Sequence, residues 1–183
     1  IINNPPRGLG QKTLDTADRL ASAMGKDSPD ENFTENVLDH PFFGVYAGQY
    51  AREVAPDTIK YLTSERLNRA IVTYYDTGMA KKGSLYNMEK ATGKDPYEMF
   101  LSGTMPLVTL EDSQPENDNH LILFRDSFGS SISPLFLGAY SKITVIDTRY
   151  VQSEFLKNMV DFRGADVLFL YSTSLLNNSL AIR

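Results

Sequence analysis

Cysteine and tryptophan are absent from the 183 residues, and histidine occurs only as His40 and His120. Without cysteine there are no disulfides, no thiolate nucleophile and no cysteine-ligated metal. That fits the cytoplasm and equally fits export from a bacterium that does not rely on disulfides. No spacing of His, Asp or Glu suggests a metal site, so neither a metal nor another cofactor is expected. Long apolar runs are lacking too. None approaches the roughly 20 residues needed to cross a bilayer, and no charged-then-apolar signal segment opens the chain. The first residue is Ile1 rather than Met, as in a processed or trimmed chain. Positive charge is also scarce: 18 basic residues face 23 acidic ones, for a net charge of −5. There is no basic stripe of the kind that neutralises phosphates along a duplex, which excludes nucleic acid as a partner.

What remains is ordinary for a soluble globular domain, with 42% hydrophobic and 22% charged residues. The length suits one domain over residues 1–183. The opening Ile1 to Gly10, with Pro5-Pro6, reads as an irregular lead-in. Leu14, Ala17, Leu20, Ala21 and Met24 then share one face at helical spacing, and Gly25 is placed to cap that helix. Lys26 to Asn36 reads as a surface loop. Phe42 to Tyr46, Ile59 to Leu62 and Ile71 to Tyr74 read as short strands, punctuated by turns at Asp76-Thr77-Gly78 and Lys81-Lys82-Gly83. Asp95 followed by Pro96 predicts a short helix that stops at Gly103, and Pro106 to Leu110 a further strand. These first 115 residues are irregular enough to decorate a core rather than form it.

The last third is regular. Leu121 to Phe124, Ile143 to Ile146 and Val167 to Tyr171 are near-continuous apolar runs, as expected of parallel strands covered on both faces. Each is followed by a stretch that can be helical: Gly129 to Tyr140, Gln152 to Phe162 and Ser172 to Ala181. Residues 120–183 thus read as a βαβαβα core with right-handed crossovers and helices on both sides of the sheet.

Ligands of such sheets sit beyond the carboxyl ends of the strands. The first strand-to-helix turn here is Arg125-Asp126-Ser127-Phe128-Gly129. A serine there presents its hydroxyl at the mouth of the sheet, and free N–H groups of the following helix end could hold an oxyanion. The competing reading is that Ser127 merely caps the helix. Gly129 permits close backbone approach, and Pro134 falls near the first helical turn. Asp126 is a catalytic candidate by position, although a neighbour of Ser127 more readily fixes the turn. Asp147 with Arg149 is either a structural pair or a wall of the cleft. Only one glycine lies in the first turn, so a dinucleotide cofactor held as in Gly-x-Gly-x-x-Gly folds is not expected. Asn177 and Asn178 either cap a helix or line the same mouth. The stripe "FFGVYAGQY" is either packing or a sugar-stacking surface that also supplies, through Gln49 or a backbone amide, a second oxyanion donor. Arg125, Gly129, Gln49 and Asn177 are therefore the candidate substrate contacts.

The segments "LILFRDSFGSSISPLFLGAYSKITVIDTRY" and "DVLFLYSTSLLNNS" resemble the C-terminal half of the DHHW-type proteins of Gram-positive bacteria, relatives of the SGNH hydrolases and the alginate O-acetyltransferases. The resemblance extends upstream through "FFGVYAGQY" and "GKDPYEMFLSG". It implies an α/β fold with a three-layer, SGNH-hydrolase-like (flavodoxin-like) parallel sheet and Ser127 as nucleophile. It also implies ester hydrolysis or acyl transfer on acylated carbohydrate at the cell surface, outside the cytoplasm, with a membrane anchor in the native gene product left open. The family carries its base in an Asp-x-His-Trp element just before a helix, whereas here Pro-Pro-Arg-Gly-Leu-Gly precedes Lys12. The dyad is missing from that position. His120 begins the strand leading to Ser127 and so belongs at the opposite edge of the sheet. His40, after Asp39 in "LDHPFFG", is left as the substitute base, although Pro41 favours a structural loop. Two readings follow: a serine esterase or O-acyltransferase, or a catalytically silent carbohydrate-binding or structural protein of the cell envelope. A cytoplasmic nucleotide-binding domain is a weaker third.

Overall fold

The computed structural model describes residues 10–43, 55–76 and 79–178. In chain order its main elements are α1 (Gln11–Ala23), β1 (Thr34–Val37), β2 (Lys60–Thr63), α2 (Glu65–Arg69), β3 (Ile71–Asp76), β4 (Met79–Gly83), β5 (Leu107–Glu111), β6 (His120–Arg125), α3 (Gly129–Ile132), β7 (Lys142–Ile146), α4 (Ser153–Met159), β8 (Asp166–Leu170) and α5 (Thr173–Leu176). Short 3₁₀ turns at Pro96–Met99 and Ser133–Phe136 join them. Six strands form a mixed sheet in the order β4-β3-β5-β7-β6-β8, and β1 pairs with β2 apart from it.

The α/β class expected from the sequence is present. Among the described strands, β7, β6 and β8, the three apolar runs of the last third, pair in parallel. β5, β3 and β4 extend that core antiparallel. The N-terminal part therefore builds half of the sheet rather than decorating it. The layers follow from strand alternation. Leu121 and Leu123 of β6 face a cluster that holds Ala17 and Ala21 of α1 with Ile132, Leu135 and Phe136. Ile122 and Phe124 face the other way, onto Leu156 and Val160 around α4. β6 connects to its neighbour on one side, whereas β7 crosses β6 to reach β8 on the other. The carboxyl end of β6 is thus the point where the winding reverses, the usual place for a ligand in such sheets.

α1 ends as its sequence predicts. Gly25 takes φ +74°, Lys26 N–H donates to Ala21 O and Gly25 N–H to Ser22 O, the two bonds of a Schellman cap. Its C-terminal end is pinned at the amino edge of the parallel strands. Tyr140 Oη donates to Asp166 Oδ2 at 2.9 Å and lies 3.7 Å from Met24 Sδ, and Lys26 Nζ reaches Asn119 Oδ1 at 3.3 Å and Asp166 at 3.5 Å. A helix of 13 residues is about 20 Å long. Its N-terminus therefore rises along the sheet toward the carboxyl edge.

Several local expectations are corrected. The surface loop drawn over Lys26 to Asn36 ends in β1, whose polar residues form strand because β2 supplies the ladder: Thr34 pairs with Thr63 and Val37 with Lys60. Lys81 to Gly83, read as a turn, is the end of β4, zipped to β3 with Val72 opposite Gly83. α2 went unread, although Ser64 caps it by accepting from Leu67 N–H at 3.1 Å. The helices after β6, β7 and β8 are shorter than the sequence pattern suggests. In the first of them Pro134 marks the change from α to 3₁₀ geometry, because its ring cannot donate the next backbone bond.

Candidate active site

β6 ends at Arg125, and the chain turns through Asp126, Ser127 and Phe128 into α3. Asp126 holds this turn. Its Oδ1 accepts from Phe128 N–H at 3.0 Å and its Oδ2 from Ser172 N–H at 2.8 Å, which ties the end of β6 to the start of α5. With both oxygens engaged and the residue buried, Asp126 is a clamp on the turn, the turn-fixing role its position suggests. Tyr97, from the 3₁₀ turn after Asp95, fixes the other side. Its Oη donates to Ser131 Oγ at 2.9 Å and lies 3.3 Å from Phe128 O.

Ser127 stands exposed on this clamped turn. It is not the helix cap: Phe128 occupies that position, and no backbone N–H donates to Ser127 Oγ among the described residues. The expected supply of free helix-end N–H groups is largely consumed. Phe128 N–H goes to Asp126 Oδ1, Gly129 N–H to Asp126 O at 3.0 Å and Ser130 N–H to Ser127 O at 3.2 Å. The N–H of Ser127 itself is the donor of the turn left without a partner among the described residues. An oxyanion beside Ser127 Oγ would meet that group first.

Beneath the turn lies a buried ion cluster. Arg125 is 1% exposed and Asp147 0%. Arg125 Nη1 lies 3.3 Å from Asp147 Oδ2 and 3.3 Å from Asp126 O, while Nη2 donates to Gly103 O at 3.4 Å. Gly103 follows Leu101 and Ser102 in three successive left-handed residues, which turn its carbonyl under the site. Arg149 completes the cluster, donating to Asp147 through Nε at 2.9 Å and Nη2 at 2.6 Å. Burial pulls the Arg125 guanidinium below its usual pKa, against the opposing pull of Asp147. Arg149 moves up, chiefly through its hydrogen bonds to the same carboxylate.

Arg125, expected as a substrate contact, is thus an internal strut out of reach of solvent. Gly129, expected to let substrate approach, instead lets Arg125 pass: a β-carbon built on Gly129 would lie 2.5 Å from Arg125 Cβ. Asn177 ends α5 as its C-cap, donating its N–H to Thr173 O, and bonds to nothing in the Ser127 turn. Gln49 lies outside the described residues. His40 makes no hydrogen bond to Ser127; its Nδ1 lies 3.0 Å from Pro41 O. A carbonyl only accepts, so the hydrogen of that contact belongs to Nδ1. His120 sits at the far end of β6 against Thr144 Oγ1 at 2.8 Å, its pKa lowered by burial and then by Lys142. Tyr97, Gly103 and Ser172 went unread because none matches a chemical motif. Only the folded chain brings them to the turn.

The fold is shared with a DHHW family protein. The structure of that protein, from Eubacterium siraeum, matches with a TM-score of 0.70 at 22% identity, over 93% of this chain and 56% of that one. Two structures of Bacillus cereus PatB1, one carrying a sulfonyl adduct, match with TM-scores of 0.65 at 17% and 20% identity. They cover 89% of this chain and 58% and 60% of theirs. The chain therefore spans less than two thirds of each of these proteins. No protein-family model and no curated protein matches the sequence.

Proposed function

We propose that Ser127 is the nucleophile of an acyl-transfer site that acts on acyl esters of cell-surface carbohydrate. The observation that carries this reading is a single exposed, unpartnered hydroxyl on a rigidly clamped turn, at the reversal point of the sheet. The shared fold with a DHHW family protein and with PatB1 supports it, as does the Asp-Ser-Phe sequence at Asp126 to Phe128. In this scheme Ser127 Oγ attacks the acyl carbon and its proton passes to a base. The alcohol leaves, and water or a carbohydrate hydroxyl then takes the acyl group from the serine. Ser127 N–H faces the developing oxyanion. His40 is the histidine to test as proton acceptor.

A second reading rests on one observation: among the described residues no imidazole or carboxylate is hydrogen-bonded to Ser127 Oγ. A chain without an activating base would bind acylated carbohydrate, or support the cell envelope, without turnover. Fluorophosphonate and sulfonyl fluoride probes separate the two. Labelling that disappears in Ser127→Ala supports the enzyme, and its loss in His40→Ala as well identifies the base. Absence of labelling in the unaltered chain overturns the nucleophile assignment and leaves the silent protein.

A further inference from the structure

Among the described residues other than glycine, only Leu101 and Ser102 take a left-handed backbone, with φ 50° and 57°, and Gly103 follows at φ 75°. Residues with a β-carbon avoid that region, and strain of this kind persists only where surrounding contacts enforce it. Here they do so from several sides. Leu101 is fully buried in the core, and its N–H donates to Leu85 O at 2.9 Å. Asn87 Nδ2 donates to Ser102 Oγ at 3.1 Å, and Lys90 Nζ to Ser102 O at 2.8 Å. Lys90 also pairs with Glu98 at 3.4 Å, and Glu98 closes over the turn: a β-carbon built on Gly103 would lie 2.9 Å from Glu98 Cγ.

What this strained turn presents is one carbonyl. Gly103 O accepts from Arg125 Nη2 at 3.4 Å, while Nη1 of the same guanidinium lies 3.3 Å from Asp126 O, in the peptide group that leads into Ser127. Arg125 Nε is buried without an acceptor among the described residues, so the hold on this guanidinium is exerted at its Nη atoms. The same segment reaches the far side of the serine, where Tyr97 Oη lies 3.3 Å from Phe128 O. Residues 97–103 therefore bear on the carbonyls of both neighbours of Ser127. Three glycines could follow the same left-handed path without strain, but they would leave the Gly103 carbonyl free to swing. Leu101, anchored in the core, and Ser102, held by Asn87 and Lys90, fix its direction.

We infer that the turn Leu101–Gly103, clasped by Lys90, is a positioning element for Ser127, with Lys90 and Ser102 as positioning residues that act through Arg125. Its consequence for chemistry rests on Ser127 being the nucleophile; the coupling itself does not. Lys90→Met releases the Ser102 carbonyl, and Ser102→Gly relaxes the backbone. Amide exchange of Phe128, Gly129 and Ser130, whose N–H groups are bonded within the serine turn, reads the coupling, with the amides of β6 as the reference for global stability. Fluorophosphonate labelling reads the effect on Ser127. In both variants exchange of the three turn amides is expected to rise about tenfold relative to β6. Labelling at saturating probe is expected to slow about tenfold with probe affinity little changed, and Lys90→Arg to restore both. Turn amides that exchange as before, relative to β6, in Lys90→Met and Ser102→Gly overturn the inference. So does an effect of Lys90→Met that persists undiminished in an Arg125→Met background, because the path runs through that guanidinium. Should Arg125→Met fail to fold, Lys90→Met and its rescue by Lys90→Arg decide alone. An unaltered chain that does not label overturns the nucleophile reading instead, and amide exchange still decides the coupling.

Discussion

Two buried aspartates, one at each end of the parallel strands, are each gripped by two arginines, and they do different work. Asp112 at the amino end accepts from Arg66 Nη1 at 2.7 Å and from Arg69 Nε at 2.7 Å, joining α2 to the end of β5. Asp147 at the carboxyl end accepts from Arg149 at 2.6 Å and sits 3.3 Å from Arg125. In the first cluster the ions win. Burial pushes the Asp112 carboxyl up, but the Arg69 hydrogen bond, the Gln114 N–H and the charges of both arginines outweigh it and hold it below its ordinary value. In the second, desolvation wins at Arg125. A buried charge that desolvation disfavours is a poor source of stability, and its worth lies in geometry. Arg125 runs under the Ser127 turn, so its grip on Asp126 O and Gly103 O fixes where the serine stands.

The sharpest way to break the comparison is Asp147→Ala. It strips Arg125 of its carboxylate in a site that is 1% exposed, and should cost ~3–5 kcal/mol in urea denaturation. Arg125→Met should cost clearly less, because Asp147 keeps its two bonds from Arg149. Equal losses would show that the two bonds from Arg149 add nothing to stability. Gly129→Ala is next: the new methyl meets Arg125 Cβ, and ~1–3 kcal/mol of destabilisation is expected in the same assay.

The amino-end cluster should reveal itself through pH. The Asp112 carboxyl is held below its ordinary value in the folded chain. Its contribution is therefore complete above the unfolded-state pKa of about 3.9 and is lost as pH falls from there through the folded value. Melting curves of Asp112→Asn should lie below those of the unaltered chain at neutral pH and converge with them in acid. A constant gap across that range would mean that the carboxylate charge is not what binds the arginines. The smallest change in stability belongs to Ser127→Ala, within ~0.5 kcal/mol, since the residue is exposed and its hydroxyl holds nothing. Its effect on probe labelling should nonetheless be complete.

Legibility varied along the chain for physical reasons. The three apolar runs of the last third were readable as parallel strands because strands covered on both faces leave no polar alternation. α1 was readable because its apolar stripe and Gly25 agree. β1 and β4 were not. Thr-Glu-Asn-Val and Met-Ala-Lys-Lys-Gly lack an apolar pattern, and each is a strand only because a neighbour offers a ladder. Within the site, Ser127 could be picked out from its place after an apolar run, whereas the fates of its neighbours could not. Arg125 reads as a substrate contact until the fold buries it, and Gly129 as a ligand gap until Arg125 fills it.

By itself the sequence determined the class of the fold, the position of the serine at a strand-to-helix turn and the exclusion of thiolate chemistry. Each depends on residue type or on periodicity along one stretch of chain. Tertiary structure alone decided that the sheet is mixed, that Asp126 reaches across to Ser172, and that Asp147 serves two arginines. It also placed the lysines of β4 at one side of the sheet and the aromatic rings of Phe124, Phe162 and Phe169 together at the other. These are matters of which distant segments lie side by side, and a hydrogen bond or an ion pair between Asp126 and Ser172, or Arg66 and Asp112, leaves no periodic trace in the residues between them.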